Sequence, residues 1–278
     1  MRRPAPLSYN GLMSAPETFK IPIETAEIYE SRFVPALFAD WAPHVVEMGD
    51  LSDGQSVLDV ACGTGIVART AARRVAPGGR VVGVDLNEAM LKVAARVCPG
   101  VDLRLGDAAS LPFDDGTFDA VLCQMALMFF PDPTVALREM GRVAKPGGTV
   151  VVMVPSSLDA QPAYRLLVDL AARHAGPEAV AMLSAYWRSG NLDELLSTVR
   201  TAGLEVLSTR TRMGTAHFGS IDEFVAIEVE STPVRERLTD AEYETLRREA
   251  GAVLRPFTTP GGRAEIPIEG HLVAAQPR

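Results

Sequence analysis

An α/β architecture with a doubly wound, mostly parallel sheet follows from three features of the 278-residue chain. Short apolar runs alternate with helical patterns between about Val57 and Val154. The first of these runs, Val57-Leu58-Asp59-Val60, breaks into the glycine turn Ala61-Cys62-Gly63-Thr64-Gly65 ahead of a helix-forming segment. The second, Arg80 to Val84, stops at Asp85, placing a carboxylate at the carboxyl end of the neighbouring strand.

Residues 1–50 read as an amino-terminal helical lid. Glu24 to Glu47 carries an amphipathic pattern interrupted by Pro35 and Pro43. Residues 51–156 hold five strands, at Val57–Val60, Arg80–Val84, Val101–Leu105, Ala120–Cys123 and Thr149–Val154. Val67, Ala71 and Val75 form the stripe of one crossover helix, and Met90, Val93, Ala94 and Val97, capped by Asn87, that of a second. Ala136, Met140 and Val143 mark another helix, which Lys145-Pro146-Gly147-Gly148 terminates. Residues 157–202 are helical in pattern and are expected to cap the carboxyl edge of the sheet. Residues 203–278 supply two more strands, Leu204–Met213 and Glu269–Ala275, around a helical insertion at about 220–255. Pro267 suits an edge position. The sum is a seven-stranded sheet in a three-layer αβα sandwich with a helical cap.

Composition narrows the function. A net charge of -8 repels a phosphate backbone, so nucleic acid is not the expected partner. Cys62, Cys98 and Cys123 show neither zinc-ligand nor disulfide spacing, and no magnesium-ligand set stands out in the cap, so no metal is expected. No run approaches the roughly 18 apolar residues of a membrane span. The expectation is a cytoplasmic protein without a membrane span, acting on a small molecule, with a homodimer allowed.

Gly63-Thr64-Gly65-Ile66-Val67-Ala68 fits the dinucleotide fingerprint G-x-G-x-x-A, and Asp85 lies near the distance expected of a ribose contact. That pattern alone leaves an NAD(P)-dependent oxidoreductase open. Asp59 lies inside the first strand, where a carboxylate is costly unless partnered, and a cationic ligand group is its expected indirect partner.

The blocks Leu58-Asp59-Val60-Ala61-Cys62-Gly63-Thr64-Gly65, Gly83-Val84-Asp85-Leu86-Asn87, Gly106-Asp107-Ala108 with Leu111-Pro112-Phe113, and Lys145-Pro146-Gly147-Gly148 resemble, in order and spacing, class I S-adenosylmethionine-dependent methyltransferases. Within them the chain is similar to the ubiquinone and menaquinone branch and its natural-product relatives. The resemblance implies a Rossmann-like fold, S-adenosylmethionine as cofactor, and S-adenosylhomocysteine as product. By position it implies that Gly63 and Gly65 admit the cofactor to the backbone and that the Ala61 carbonyl accepts from its ammonium. It places Asp85 on the ribose hydroxyls, Leu86 and Met90 on the adenine faces, and Asp107 and Ala108 on the adenine edge. Gln124 falls near the methionine moiety, with Tyr29 closing over it.

The expected acceptor is a small, fairly apolar metabolite, phenolic, quinone-like or a natural product. Met125, Met128, Phe129 and Phe130 are candidates to line its pocket. The catalytic group stays open, His174 and His217 being the candidate bases. A non-catalytic cofactor-binding protein is the remaining alternative.

Overall fold

The computed structural model describes residues 21–230 and 234–278. The first 20 residues of the expected lid, and 231–233 of the expected insertion, lie outside the described residues.

Seven strands form one sheet: β1 (Ser56–Val60), β2 (Arg80–Asp85), β3 (Asp102–Leu105), β4 (Phe118–Gln124), β5 (Ala144–Pro155), β6 (Leu204–Phe218) and β7 (Ala264–Pro277). The order is β3-β2-β1-β4-β5-β7-β6. Strands β1 to β5 pair in parallel, and β7 runs antiparallel to both of its neighbours. The order reverses between β1 and β4, which opens a crevice at their carboxyl ends where open α/β sheets bind ligands. This is a Rossmann-like fold.

The parallel strands are apolar on both faces because helices cover both. Helices α2 (Ala42–Met48) and α3 (Ile66–Val75) belong to one core, which takes Val57 and Leu122 from the strands. Helices α5 (Pro133–Val143) and α8 (Leu192–Thr201) belong to the other, with Leu58, Val60 and Val121. Helix α4 (Glu88–Val97) packs Ala89 and Val93 against Ala26 of α1 (Ile23–Ile28).

Two departures from the sequence expectation matter for the site. Pro35 does not break the lid. A π-helix, Tyr29–Phe38, runs through it, closed by the Ala39 N–H donating to the Val34 carbonyl at 2.9 Å. The wider turn accommodates a residue that has no N–H to give. The ribbon of β6 and β7 is longer than expected: it pairs from Leu204↔Pro277 to Phe218↔Ala264, whereas β7 meets β5 only over Gly270–Ala275. The excess projects past β5, so Pro267, paired only with Thr215, sits at a local edge although β7 itself is interior. Helices α9 (Ile221–Glu230) and α10 (Asp240–Val253) stand between β6 and β7 in sequence, and α10 packs on α6 (Pro162–Ala175) and on α9. Between α6 and α8 lie the short α7 (Glu178–Leu183) and a 3₁₀ turn, Ala185–Trp187.

Among the described residues, no helix is long and apolar enough to cross a membrane, and no three His, Cys, Asp or Glu side chains form a metal-binding group.

Candidate active site

The turn after β1 is built from backbone that only a few residue types tolerate. Ala61 (φ +55°), Gly63 (φ +54°) and Gly65 (φ +86°) are all left-handed. The Cys62 N–H donates to Val84 at 2.9 Å, prolonging the β1–β2 ladder, and the Gly65 N–H donates back to Cys62 at 2.8 Å.

Beneath this turn lies Asp59, 1% exposed, whose carboxylate accepts from the Ala68 N–H at 2.8 Å. It satisfies an orphan donor in the first turn of α3, as an N-cap side chain would; Gly65, at the N-cap, has none to offer. Burial pushes the Asp59 carboxyl up to about 8. The carboxylate, for which the sequence offers only an indirect ligand partner, does not line the cavity but holds the turn from below. Gly65 is likewise outside the cavity lining. A Cβ there would stand 2.5 Å from the Cys98 sulfur, so the glycine answers to packing.

Asp85 ends β2 and faces the turn. One oxygen accepts from the Gly63 N–H at 2.8 Å, the other from the Asn87 N–H at 2.8 Å. Burial raises its pKa despite these two bonds. Asn87 in turn caps α4 through the Ala89 and Met90 amides, which sets Leu86 and Met90 at the rim. Asp107 follows β3, with one carboxylate oxygen accepting from the Ala109 N–H at 2.9 Å. Gln124 ends β4. Its amide nitrogen donates to the Phe38 carbonyl at 3.0 Å, while its buried Oε1 has no partner among the described residues.

These strand ends open onto one cavity of about 240 Å³, mostly apolar in its lining. Of the sequence-predicted set, Tyr29, Ala61, Gly63, Asp85, Leu86, Met90, Asp107, Ala108 and Gln124 all line it, as do Met125, Met128, Phe129 and Phe130. Tyr29 lies over the turn, 3.7 Å from where a Gly63 Cβ would stand. A half-buried ion pair, Glu30 with Arg69 at 2.9 Å, ties this part of the π-helix to α3.

The two candidate bases are elsewhere. His174 sits in the last turn of α6 with its Nε2 3.1 Å from Glu249 of α10, roughly 15 Å along the helix from the cavity-lining Tyr164. His217 is exposed on β6 because the period-2 alternation turns it out between buried Ala216 and Phe218.

In their place the cavity holds a carboxylate that the sequence reading did not single out. Glu228 of α9 is 9% exposed and lines the cavity, and the Tyr164 hydroxyl donates to its Oε1 at 3.0 Å. Burial pushes Glu228 up to about 7, against the Tyr164 hydrogen bond, which pulls it down. Tyr164 is wedged edge-on against Trp187 (4.8 Å) and Phe224 (5.1 Å), and Tyr186 packs on Phe129 at 5.4 Å. One sequence signal was there to be read. Ile221, Phe224, Val225, Glu228 and Val229 share the buried face of α9, so a carboxylate occupies a position whose helical spacing calls for an apolar residue.

Residues 58–152 match the family model described as a methyltransferase domain. A demethylmenaquinone methyltransferase of Staphylococcus carnosus is 40% identical over 119 residues, 42% of this chain and 49% of that protein. The chain thus matches about half the length of that curated relative. Among solved structures, a Bacillus halodurans protein described as a candidate methyltransferase superposes with a TM-score of 0.58 at 23% identity, covering 85% of this chain and 99% of that one. The phosphoethanolamine N-methyltransferase 2 of Haemonchus contortus, in complex with phosphomonomethylethanolamine and S-adenosylhomocysteine, gives 0.57 at 19% identity, covering 98% and 60%. Residues 58–152 thus match a methyltransferase domain, and the sheet built around them has the fold of solved class I methyltransferases.

Proposed function

We propose that the chain transfers the methyl group of S-adenosylmethionine to a small, fairly apolar acceptor held in the cavity. The observation that carries this reading is the meeting, in one enclosed space, of the Asp85, Asp107 and Gly63 cluster with the aromatic wall of Phe129, Tyr186 and Trp187. Bound S-adenosylmethionine supplies an electrophilic methyl on a sulfonium.

The residues fit that ligand. Asp85 keeps acceptor capacity on both oxygens for the two ribose hydroxyls. The Gln124 Oε1, without a partner among the described residues, and the Ala61 carbonyl suit the ammonium, and the positive φ at Gly63 leaves bare backbone where the ligand approaches closely. Leu86 and Met90 pack on the adenine, Asp107 and Ala108 meet its edge, and Tyr29 closes the methionine end. Asp59 and Gly65 act through the shape of the turn.

On the acceptor side, the apolar wall excludes water and holds the acceptor atom in line with the methyl carbon, from which most of the acceleration comes. Relatives named demethylmenaquinone methyltransferase support a ring acceptor of phenolic, quinone-like or natural-product type. The family match ends at residue 152, before Tyr164, Tyr186, Trp187 and Glu228, so acceptor choice belongs to this chain's own wall. The proposed setting is the cytoplasm, as a monomer or a homodimer.

Calorimetry with S-adenosylhomocysteine tests the reading. Binding at micromolar concentration, followed by transfer of a labelled methyl to one of a panel of phenols and quinols, is the expected result. Complete absence of binding would reject it.

A further inference from the structure

We propose that Gln124 couples the cofactor to the acceptor side of the cavity: its Oε1 accepts from the ammonium of the methionine arm, while its Nε2 holds the π-helix that carries Tyr29, Phe33 and Phe38. The inference rests on the methyl-transfer reading above. It adds a positioning residue and an order of events, in which cofactor binding completes the acceptor pocket.

Gln124 is a fixed post. It closes β4 in register with Met153 of β5, and the next residue, Met125, donates its N–H to the Met153 carbonyl at 2.8 Å while its own backbone turns left-handed at φ +50°. A residue with a Cβ keeps that conformation only where its surroundings over-determine it. The register pair Asp59↔Leu122 puts Ala61 and Gln124, each two residues on, level with one another at the ends of β1 and β4, where the strand order reverses.

Chemistry decides which way the amide faces. The Phe38 carbonyl can only accept, so the group 3.0 Å from it is the amide NH₂ and not the oxygen. Gln124 is 8% exposed and lines the cavity, and its buried Oε1 has no partner among the described residues. A buried acceptor in that state calls for a donor. With the ribose assigned to Asp85 and the adenine edge to Asp107, the donor left on the ligand is its ammonium, whose charge makes the bond a strong one. The Ala61 carbonyl takes a second of its three N–H groups.

The nitrogen end of the same amide reaches the acceptor side. Phe38 is the last residue of the π-helix, and the Tyr29 ring packs on both Phe38 (5.0 Å) and Phe33 (6.1 Å). Holding Phe38 therefore sets Tyr29 over the Gly63 turn and keeps Phe33 and Leu37 in the cavity lining. A charged donor on Oε1 polarises the amide and strengthens the bond that Nε2 makes. It also fixes an amide plane whose terminal torsion is otherwise broad. Both effects tighten the π-helix when the ammonium is present, and by reciprocity a held π-helix tightens the ligand.

The test reads amide hydrogen exchange across residues 29–39 of the full chain, empty, saturated with S-adenosylhomocysteine, or saturated with 5′-methylthioadenosine, which keeps the adenosine and the sulfur but lacks the ammonium. S-adenosylhomocysteine should slow exchange there by about fivefold or more relative to 5′-methylthioadenosine, the lower end of ordinary coupling between sites. Gln124→Met, similar in bulk and without either polar group, should abolish that difference. Gln124→Glu keeps an oxygen for the ammonium and gives Phe38 no donor, so it should bind S-adenosylhomocysteine yet exchange as fast as with 5′-methylthioadenosine. A Gln124 that only props up the fold would, when replaced, loosen the π-helix by the same factor with and without ligand; that result would overturn the proposal, as would equal protection by the two ligands in wild type. Binding of S-adenosylhomocysteine without slowed exchange removes the coupling alone, whereas failure to bind takes the methyl-transfer reading with it. Should Gln124→Met not fold, the wild-type comparison of the two ligands carries the decision.

Discussion

The two walls of the cavity are built by different means. The strand-end wall comes from one stretch of chain, β1 to β4, in which the ladder, the left-handed turn and two helix caps fix each polar group through backbone bonds such as Gly63 to Asp85 and Asn87 to Asp85. The aromatic wall gathers Phe33, Phe129, Tyr164, Tyr186, Glu228 and Ile268, which no local motif relates and which meet only because helices pack over the sheet edge. The first wall can be shared by many enzymes with one cofactor; the second can be rebuilt to suit an acceptor without disturbing the first.

The largest expected effect lies where the strand-end wall is pure packing. Gly65→Val brings a Cβ to 2.5 Å from the Cys98 sulfur at φ +86°. Strain and overpacking together should cost about 3 kcal/mol or more, read as a lowered urea midpoint. Gly63→Ala is the contrast. Its Cβ would meet nothing nearer than the Tyr29 ring at 3.7 Å, so its loss should appear chiefly in S-adenosylhomocysteine affinity. Equal stability losses at the two glycines would mean that the cavity does not distinguish them.

Asp85→Ala comes next. It removes the proposed ribose acceptor and should weaken S-adenosylhomocysteine binding by about 1–3 kcal/mol, as measured by calorimetry, with the fold retained. Unchanged affinity would take the ribose away from this wall.

A smaller effect tests the support under the turn. Asp59 has a folded-state pKa near 8 against an ordinary 3.8, so the folded chain holds its proton more tightly than the unfolded chain. Its contribution to stability is therefore full below about 4 and is lost as pH rises toward 8. Glu228, raised to about 7, slopes the same way. Asp59→Asn keeps an oxygen for the Ala68 N–H and removes only the Asp59 titration. The variant should gain about 1–2 kcal/mol on wild type at alkaline pH, and the gain should vanish toward about pH 4. A pH-independent difference in denaturant unfolding would show that Asp59 is not protonated in the folded chain.

The contrast between the walls also explains what could be read from the chain. Strands β1 to β5, the turn and the strand-end residues are sequence-local, so period and glycine placement reveal them. The full length of the β6–β7 ribbon is hidden in the sequence because Gly214, Thr215 and Ala216 carry too little apolar bulk to show alternation, although Ala216 and Phe218 are buried. Glu228 was missed for the complementary reason. A single carboxylate on an apolar helix face reads as surface until α6 is known to bring Tyr164 to it from 64 residues away. The histidines attracted attention by residue type alone, and topology put both outside the cavity.

The smallest prediction concerns the seam between the walls, the π-helix that carries Tyr29 and Phe33. It is held at one end by Glu30 to Arg69 and at the other by Gln124 to the Phe38 carbonyl. Both ion-pair partners are about one-fifth exposed, so the pair is partly screened and worth about 0.5–1 kcal/mol, too little to govern folding. It is enough to bias a short helix that closes over the turn. Glu30→Gln should therefore leave the melting temperature within about a degree of wild type while S-adenosylhomocysteine dissociates two- to fivefold faster in stopped flow, roughly the kinetic equivalent of that energy. Arg69→Met should behave alike, and the double variant should add nothing further, because the second substitution removes a partner already lost. A double variant with the product of the two single effects would place the closing force in the Tyr29 and Phe38 ring contacts instead.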